Sequence, residues 1–245
     1  MEIVLSAEKI AQIGFLPITN TLLVSWLVMV ILTIFSLIAT RKISLVPSGA
    51  QNFFEFVIEA GYDQVEALSH DRAKIFFPFV MTFFLFIIVG NWLGLLPGFG
   101  TIGFFEHVGN KITFIPLLRS ISADLNTTLA LALTSAVLTH YFALKYLGLA
   151  DYLKRCFTLN PIYLFVGLLE LVGEFTKVVS LSFRLFGNIF AGEVVLSTVA
   201  SIFAFIVPLP FYFLEIIVGF VQAAVFMMLT LVFMVLLSEK HGEEH

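Results

Sequence analysis

Within an otherwise apolar run, the segment Ser182-Phe183-Arg184-Leu185-Phe186-Gly187-Asn188-Ile189-Phe190-Ala191-Gly192-Glu193 carries a guanidinium, an amide and a carboxylate. A charge at the centre of a bilayer costs ~2.5–3.5 kcal/mol on insertion scales, and ~10–17 kcal/mol in simulations of an isolated helix. Arginine cannot avoid that cost by losing its proton, because its pKa stays above ~12. Glutamate can. A permanent cation beside a switchable acid is the chemistry of an ion or proton path.

Rotation by ~100° per residue places the polar groups around the helix. With Arg184 at zero, Lys177 falls at about +20°, and Asn188 and Glu170 at about +40°, all on one face. Glu193 falls near 180°, ~13 Å further along the axis, and Glu170 lies ~21 Å in the other direction. Ser180, Gly187 and Ala191 lie on or near the arginine's face, where small side chains let another helix approach. The last apolar run adds Glu215 and Gln222, seven apart and so on one face two turns apart. Glu193 and Glu215 can then line one aqueous pocket, with Gln222 nearer Arg184. Two half-paths separated by a fixed positive charge would move ions without leaking, whereas a continuous water path would simply leak protons.

Structural roles compete with these. A buried acid or backbone carbonyls would also satisfy Arg184. Lys177 can snorkel to an interface, and Glu170 and Glu174 can lie at a wet helix end. Asp124 reads as a helix N-cap as well as a pocket wall. His140, five residues before Lys145, reads as facing water or a polar cavity. His70, His107, His241 and His245 show no ligand spacing, so no metal and no cofactor is expected. The single Cys156 has no partner for a disulfide. There is no nucleophile motif, no glycine-rich phosphate loop and no basic, aromatic-interleaved patch for nucleic acid.

The elements that must hold these groups are membrane helices. The chain is 60% hydrophobic and 12% charged, with a mean hydropathy of +1.03, against ~25% charged residues in ordinary soluble chains. A first span runs from 21 to 40, since ~20 residues cross a ~30 Å core. Val46-Pro47-Ser48-Gly49 is a turn. Residues 51–68 intersperse Phe53, Phe54, Val57, Ile58, Val65 and Leu68 with Glu55, Glu59, Asp63 and Glu66, an amphipathic interfacial helix whose acidic face favours protein packing over anionic lipid. A second span covers 75–96, a loop 97–123, and a third span 124–147. The run 160–207 would make one helix of roughly 70 Å, so it must bend, break or tilt; Pro208 and Pro210 are expected to end it. A last helix covers 211–237. The fold class is an all-α integral membrane protein of about five membrane-embedded helices plus one amphipathic interfacial helix, in a single membrane domain. The N-terminus lacks signal-peptide character. With the first span running outward to inward, Arg41, Lys42, Arg72, Lys74, Lys145, Lys154, Arg155 and Lys240 lie inside and Lys9, Lys111 and Arg119 outside, eight against three.

These residues carry a resemblance. Leu181-Ser182-Phe183-Arg184-Leu185-Phe186-Gly187-Asn188, running on to Ala191-Gly192-Glu193, is similar to the arginine motif of subunit a of the F-type ATP synthases of bacteria and chloroplasts. Asn91-Trp92-Leu93-Gly94-Leu95-Leu96-Pro97-Gly98, Ala123-Asp124-Leu125-Asn126-Thr127-Thr128-Leu129, and Gln222-Ala223-Ala224-Val225-Phe226 with Leu229-Thr230 agree in order and spacing, from about Pro47 to the C-terminus. The resemblance implies a non-catalytic, proton-conducting stator beside a rotating c-subunit ring, with the last two helices steeply tilted along it. It implies peripheral-stalk b subunits and the rest of the complex as further partners, and a bacterial plasma membrane rather than a thylakoid. It casts Arg184 as the essential arginine facing the ring and Glu193 and Glu215 as outer half-channel acids, with Asp124 and Asn126 as wall residues. Glu170 and Lys177 would belong to the inner half-channel, and Asn188 and Gln222 would stay near the arginine. In some members a histidine stands where this chain has Glu215. The alternatives are a proton-coupled secondary transporter, which should show internal repeats, and an intramembrane enzyme, which needs a catalytic site this sequence does not display.

Overall fold

Long apolar runs with their backbone groups satisfied internally become helices in lipid, and among the described residues six α-helices carry this fold. The computed structural model describes residues 8–13, 16–41, 49–96, 98–99, 102–108, 111–149, 152, 161–202 and 206–239. Lys42, Pro47, Pro97, Lys154, Arg155, Cys156, Asn160, Lys240, His241 and His245 lie outside them. The order is β1 (Lys9–Ile13), β2 (Leu16–Thr19), α1 (Asn20–Thr40), α2 (Ala50–Ser69), α3 (Ala73–Gly94), β3 (Gly103–Val108), β4 (Lys111–Pro116), α4 (Leu125–Leu147), α5 (Pro161–Ile202) and α6 (Pro208–Ser238). Among the described residues, five stretches are long and apolar enough to cross a membrane: Asn20–Thr40, Gln51–Gly94, Leu125–Leu147, Phe165–Ile202 and Pro208–Ser238. The protein is an all-α integral membrane protein, to which the small antiparallel hairpins β1–β2 and β3–β4 are added. The second hairpin falls where the sequence predicts a loop, 97–123.

Local chemistry sets the boundaries. Thr19 caps α1 by accepting from the Leu22 N–H at 3.3 Å. Asp124 caps α4 through the Asn126 N–H at 3.1 Å. Pro208 opens α6 rather than merely ending α5, because the first helical turn needs no N–H donors from proline. The long run is one continuous helix of 42 residues to Ile202, about 63 Å at ~1.5 Å per residue. It does not break before that point.

The helices pack around α3, α4 and α6. Ile87, Ala132, Leu185, Ala223 and Phe226 form one buried cluster, and Phe76, Val80, Phe142, Leu231 and Met234 another. Phe76 meets Phe142 edge-on at 5.2 Å. Hydroxyl pairs tie α4 to its neighbours: Thr128 with Ser182 on α5 at 3.1 Å, and Ser135 with Thr230 on α6 at 2.8 Å. Such bonds average ~0.6 kcal/mol each in bilayers. The α2 helix lays Val65 and Tyr62 on α3 and leaves Phe53 and Phe56 64% and 69% exposed. Both hairpins sit at one end of the bundle, joined where the Asn20 side-chain amide donates to the Pro116 carbonyl at 3.3 Å.

Candidate functional site: a split polar seam along α5 and α6

The two faces of α5 differ. Leu181, Ser182, Leu185, Phe186, Ile189 and Gly192 are buried against the bundle, whereas Val172, Ser180, Phe183, Arg184, Gly187, Asn188 and Ala191 are exposed. Arg184 therefore stands on an outward, largely apolar and small-residue face. Its Nη2 reaches Ser180 Oγ, one turn earlier, at 3.5 Å. It lines an open groove of about 430 Å³ with Thr176, Lys177, Ser180, Leu229 and Phe233. Lys177 donates to Glu174 at 2.6 Å and lies 4.7 Å from the centre of the Phe233 ring, so its ammonium is held by an acid and an aromatic face.

Glu193 turns the other way. With Glu215, Asn91, Ser120, Ser197 and Tyr212 it lines a cavity of about 540 Å³ near the hairpin end. A smaller depression of about 360 Å³, lined by Asn188, Ala191, Gly192 and Glu215, adjoins it. Glu215 is 6% exposed and faces both spaces, so α6 contributes one acid to the cavity and to its edge. Gly192 is what permits this: a Cβ there would overlap the Glu215 carboxylate. Glycine also lets the cavity roof approach α3, since a Cβ on Gly94 would come within 2.6 Å of the Ser120 Cβ.

The cation beside Glu193 is Arg119. Its Nε lies 3.7 Å from Glu193 Oε2, with Arg119 only 7% exposed. That is the separation of an ion pair. Glu193 Oε2 and Ser120 Oγ are buried without a protein hydrogen-bond partner, on the wall of a cavity with room for water. Outside the spans, burial pushes the Glu8 carboxyl above its ordinary value, with the Arg119 charge pulling it partly back.

Other sequence-predicted residues separate from this cavity. Asp124 is not among its lining residues: the buried carboxylate accepts from Thr21 at 3.0 Å, Thr127 at 3.2 Å, the Asn126 N–H at 3.1 Å and the Asn126 amide at 3.3 Å. Its lone pairs are spent joining α1 to α4. The exposed Asn126 serves that cap and is likewise not among the residues lining this cavity. Gln222 and Glu170 are partly exposed and line none of the three spaces described. His140 contacts the Tyr152 hydroxyl through Nδ1 at 3.0 Å. Among the described residues, no three His, Cys, Asp or Glu side chains are grouped to hold a metal.

Sequence reasoning missed Arg119, which it counted only as an external charge, together with Ser120 and Tyr212. Asn91 it noted only as part of a motif; here its amide donates to the Gly219 carbonyl at 3.4 Å and accepts from Ser122 Oγ at 2.6 Å, fixing α3 against α6 beside the cavity. A basic residue five positions before the Asp124 cap was the available signal.

Residues 22–235 match the family described as ATP synthase A chain. Proteins named ATP synthase subunit a are similar along most of their length. The one from Trichlorobacter lovleyi is 34% identical over 87% of this chain and 85% of its own. That from Geobacter sulfurreducens is 36% identical over 85% and 83%. That from Moorella thermoacetica is 32% identical over 92% and 93%. With nearly the full span matched and the arginine-bearing helix inside it, the chain belongs to the ATP synthase subunit a family.

Proposed function

We propose that this chain is the proton-conducting stator of a rotary ATP synthase in a bacterial plasma membrane, giving ring carboxylates access to two offset half-channels. The observation that carries the reading is the division of α5. Arg184 is on the exposed face, while Glu193, nine residues later, is on the inner face and lines a cavity with Glu215. A cation that must meet a moving acid belongs on the outside of the subunit, and groups that relay protons belong beside water.

The mechanism follows from pKa physics. A ring carboxylate arriving at Arg184 is held ionised by the adjacent cation and gives up its proton to one side. Leaving for lipid it must be protonated, because a bare carboxylate in hydrocarbon is very costly. The cavity with Glu193 and Glu215 is the outer route, and the groove with Lys177 is the approach to the inner one, with Glu170 further along the same helix. Asn188 borders the outer depression one turn from Arg184, and Gln222 lies on the neighbouring helix. The permanent charge of Arg184 between them prevents direct passage. The driving term is ~2.3 kcal/mol per charge per 100 mV. A helix of 42 residues crosses a ~30 Å core only when steeply tilted, which lets both routes meet the ring at mid-membrane. The chain itself cleaves no nucleotide; the peripheral-stalk b subunits and the ATPase head complete the machine.

The test uses the exposed face of α5. A cysteine at Gly187, where a side chain would meet nothing within 4 Å in the chain itself, should form zero-length cross-links to a small two-helix subunit in the intact complex. The same complex, purified in mild detergent, should retain ATPase activity. A chain that purifies alone, transports as a monomer and gives no such cross-link contradicts the proposal and favours a secondary transporter.

A further inference from the structure

Arg119 is a permanent cation at 7% exposure, and a buried guanidinium stays there only if carboxylates or hydrogen bonds compensate it. Its backbone is firmly held. Leu117 N–H donates to the Ile102 carbonyl at 2.8 Å, closing the base of the β3–β4 hairpin. Ile121 is fully buried against Gly90, where a Cβ would overlap it. On one side of the guanidinium lies Glu193, at 3.7 Å. On the other its charge acts on Glu8, whose carbonyl accepts from the Asn20 N–H at 3.2 Å at the start of α1. One cation thus acts on three chain regions: the residue before β1, the segment after β4 and the last third of α5.

Both cavity acids are close to a fixed neighbour. Glu193 lies beside Arg119, and Glu215 lies over Gly192. The ionisable groups around Glu193 are Arg119 from the β4–α4 segment, Glu215 and Tyr212 from α6, and Glu8 from the N-terminal segment. We infer that Arg119 is a positioning residue for proton transfer, holding the Glu193 carboxylate at the cavity wall and coupling it to the hairpin end of the fold. Resting on the proton-path reading above, this makes the placement of the Glu193 carboxylate depend on Arg119.

The test is ATP-driven acidification of vesicles bearing the intact complex, at matched assembly and measured above an Arg184→Ala baseline. Arg119→Gln should lower the rate about tenfold, the size expected for one lost charge interaction. Arg119→Lys, which keeps the charge, should recover at least about a third of the native rate, a rescue that filling space alone would not give. In a Glu193→Gln background Arg119→Gln should cost less than about twofold more, because the partner it positions is already gone. Should Arg119→Gln fail to assemble, Arg119→Lys carries the same comparison, and its loss must shrink in that background. Native pumping by Arg119→Gln, a lysine variant as inactive as the glutamine one, or losses that multiply with Glu193→Gln would overturn the inference. Native pumping by Arg184→Ala would instead overturn the proton-path reading beneath it.

Discussion

Gly192 and Glu215 are so close that a single methyl group on the glycine would occupy the space of the carboxylate. Glycine inside a helix costs about 1 kcal/mol relative to alanine, so Gly192→Ala should strengthen α5 while displacing the Glu215 carboxylate, the movable end of a flexible side chain. The expected outcome is full assembly with ATP-driven pumping reduced on the order of tenfold, since a displacement of about 1 Å can cost more than that. The shorter Glu215→Asp should recover part of the loss in the same background. Native pumping by Gly192→Ala would separate Glu215 from the path. Helical periodicity set Glu193 opposite Arg184 on α5, because that relation depends only on the ~100° turn per residue. It did not disclose that Arg119 stands beside Glu193, a contact made across 74 positions of sequence by loop packing.

At the scale of elements, the helices were readable and the hairpins were not. Twenty-residue apolar runs announce spans by length alone. The strand β3 in Gly-Phe-Phe-Glu-His-Val and its partner β4 in Lys-Ile-Thr-Phe-Ile-Pro flank the dipeptide Gly109-Asn110, a hairpin-type signal submerged in a loop of mixed composition. The cap at Asp124 was legible from its place before an apolar run, but the bond that brings Thr21 from α1 to the same carboxylate was not. The N-terminal hairpin end offers a pH test through Glu8. Its carboxyl is raised from 4.5 mainly by burial, so the folded state favours the neutral form. That contribution is fully present below the unfolded pKa and is lost as pH rises through the raised folded value. Glu8→Gln, neutral throughout, should match the native complex in thermal midpoint near about pH 4 and gain on it towards about pH 8. A difference that shrinks as pH rises would contradict the sign.

For the whole molecule, the organisation is a packed inner bundle with one unusual helix whose outer face is exposed. The core clusters and hydroxyl pairs anchor one side of α5, and the other side carries the arginine on a surface of small and apolar residues. The membrane class and the family's fold were legible from composition and the arginine motif. The pairing of Arg119 with Glu193 was not, because it brings distant segments together through tertiary packing. The central claim is that Arg184 is the charge that couples ring carboxylates to two separate water routes. The direct measurement is ATP-driven acidification of vesicles containing the intact complex, native against Arg184→Ala at equal assembly, together with passive proton leak through the membrane sector. The account predicts abolished pumping with passive leak retained. Unimpaired pumping would make Arg184 a structural charge and contradict the mechanism.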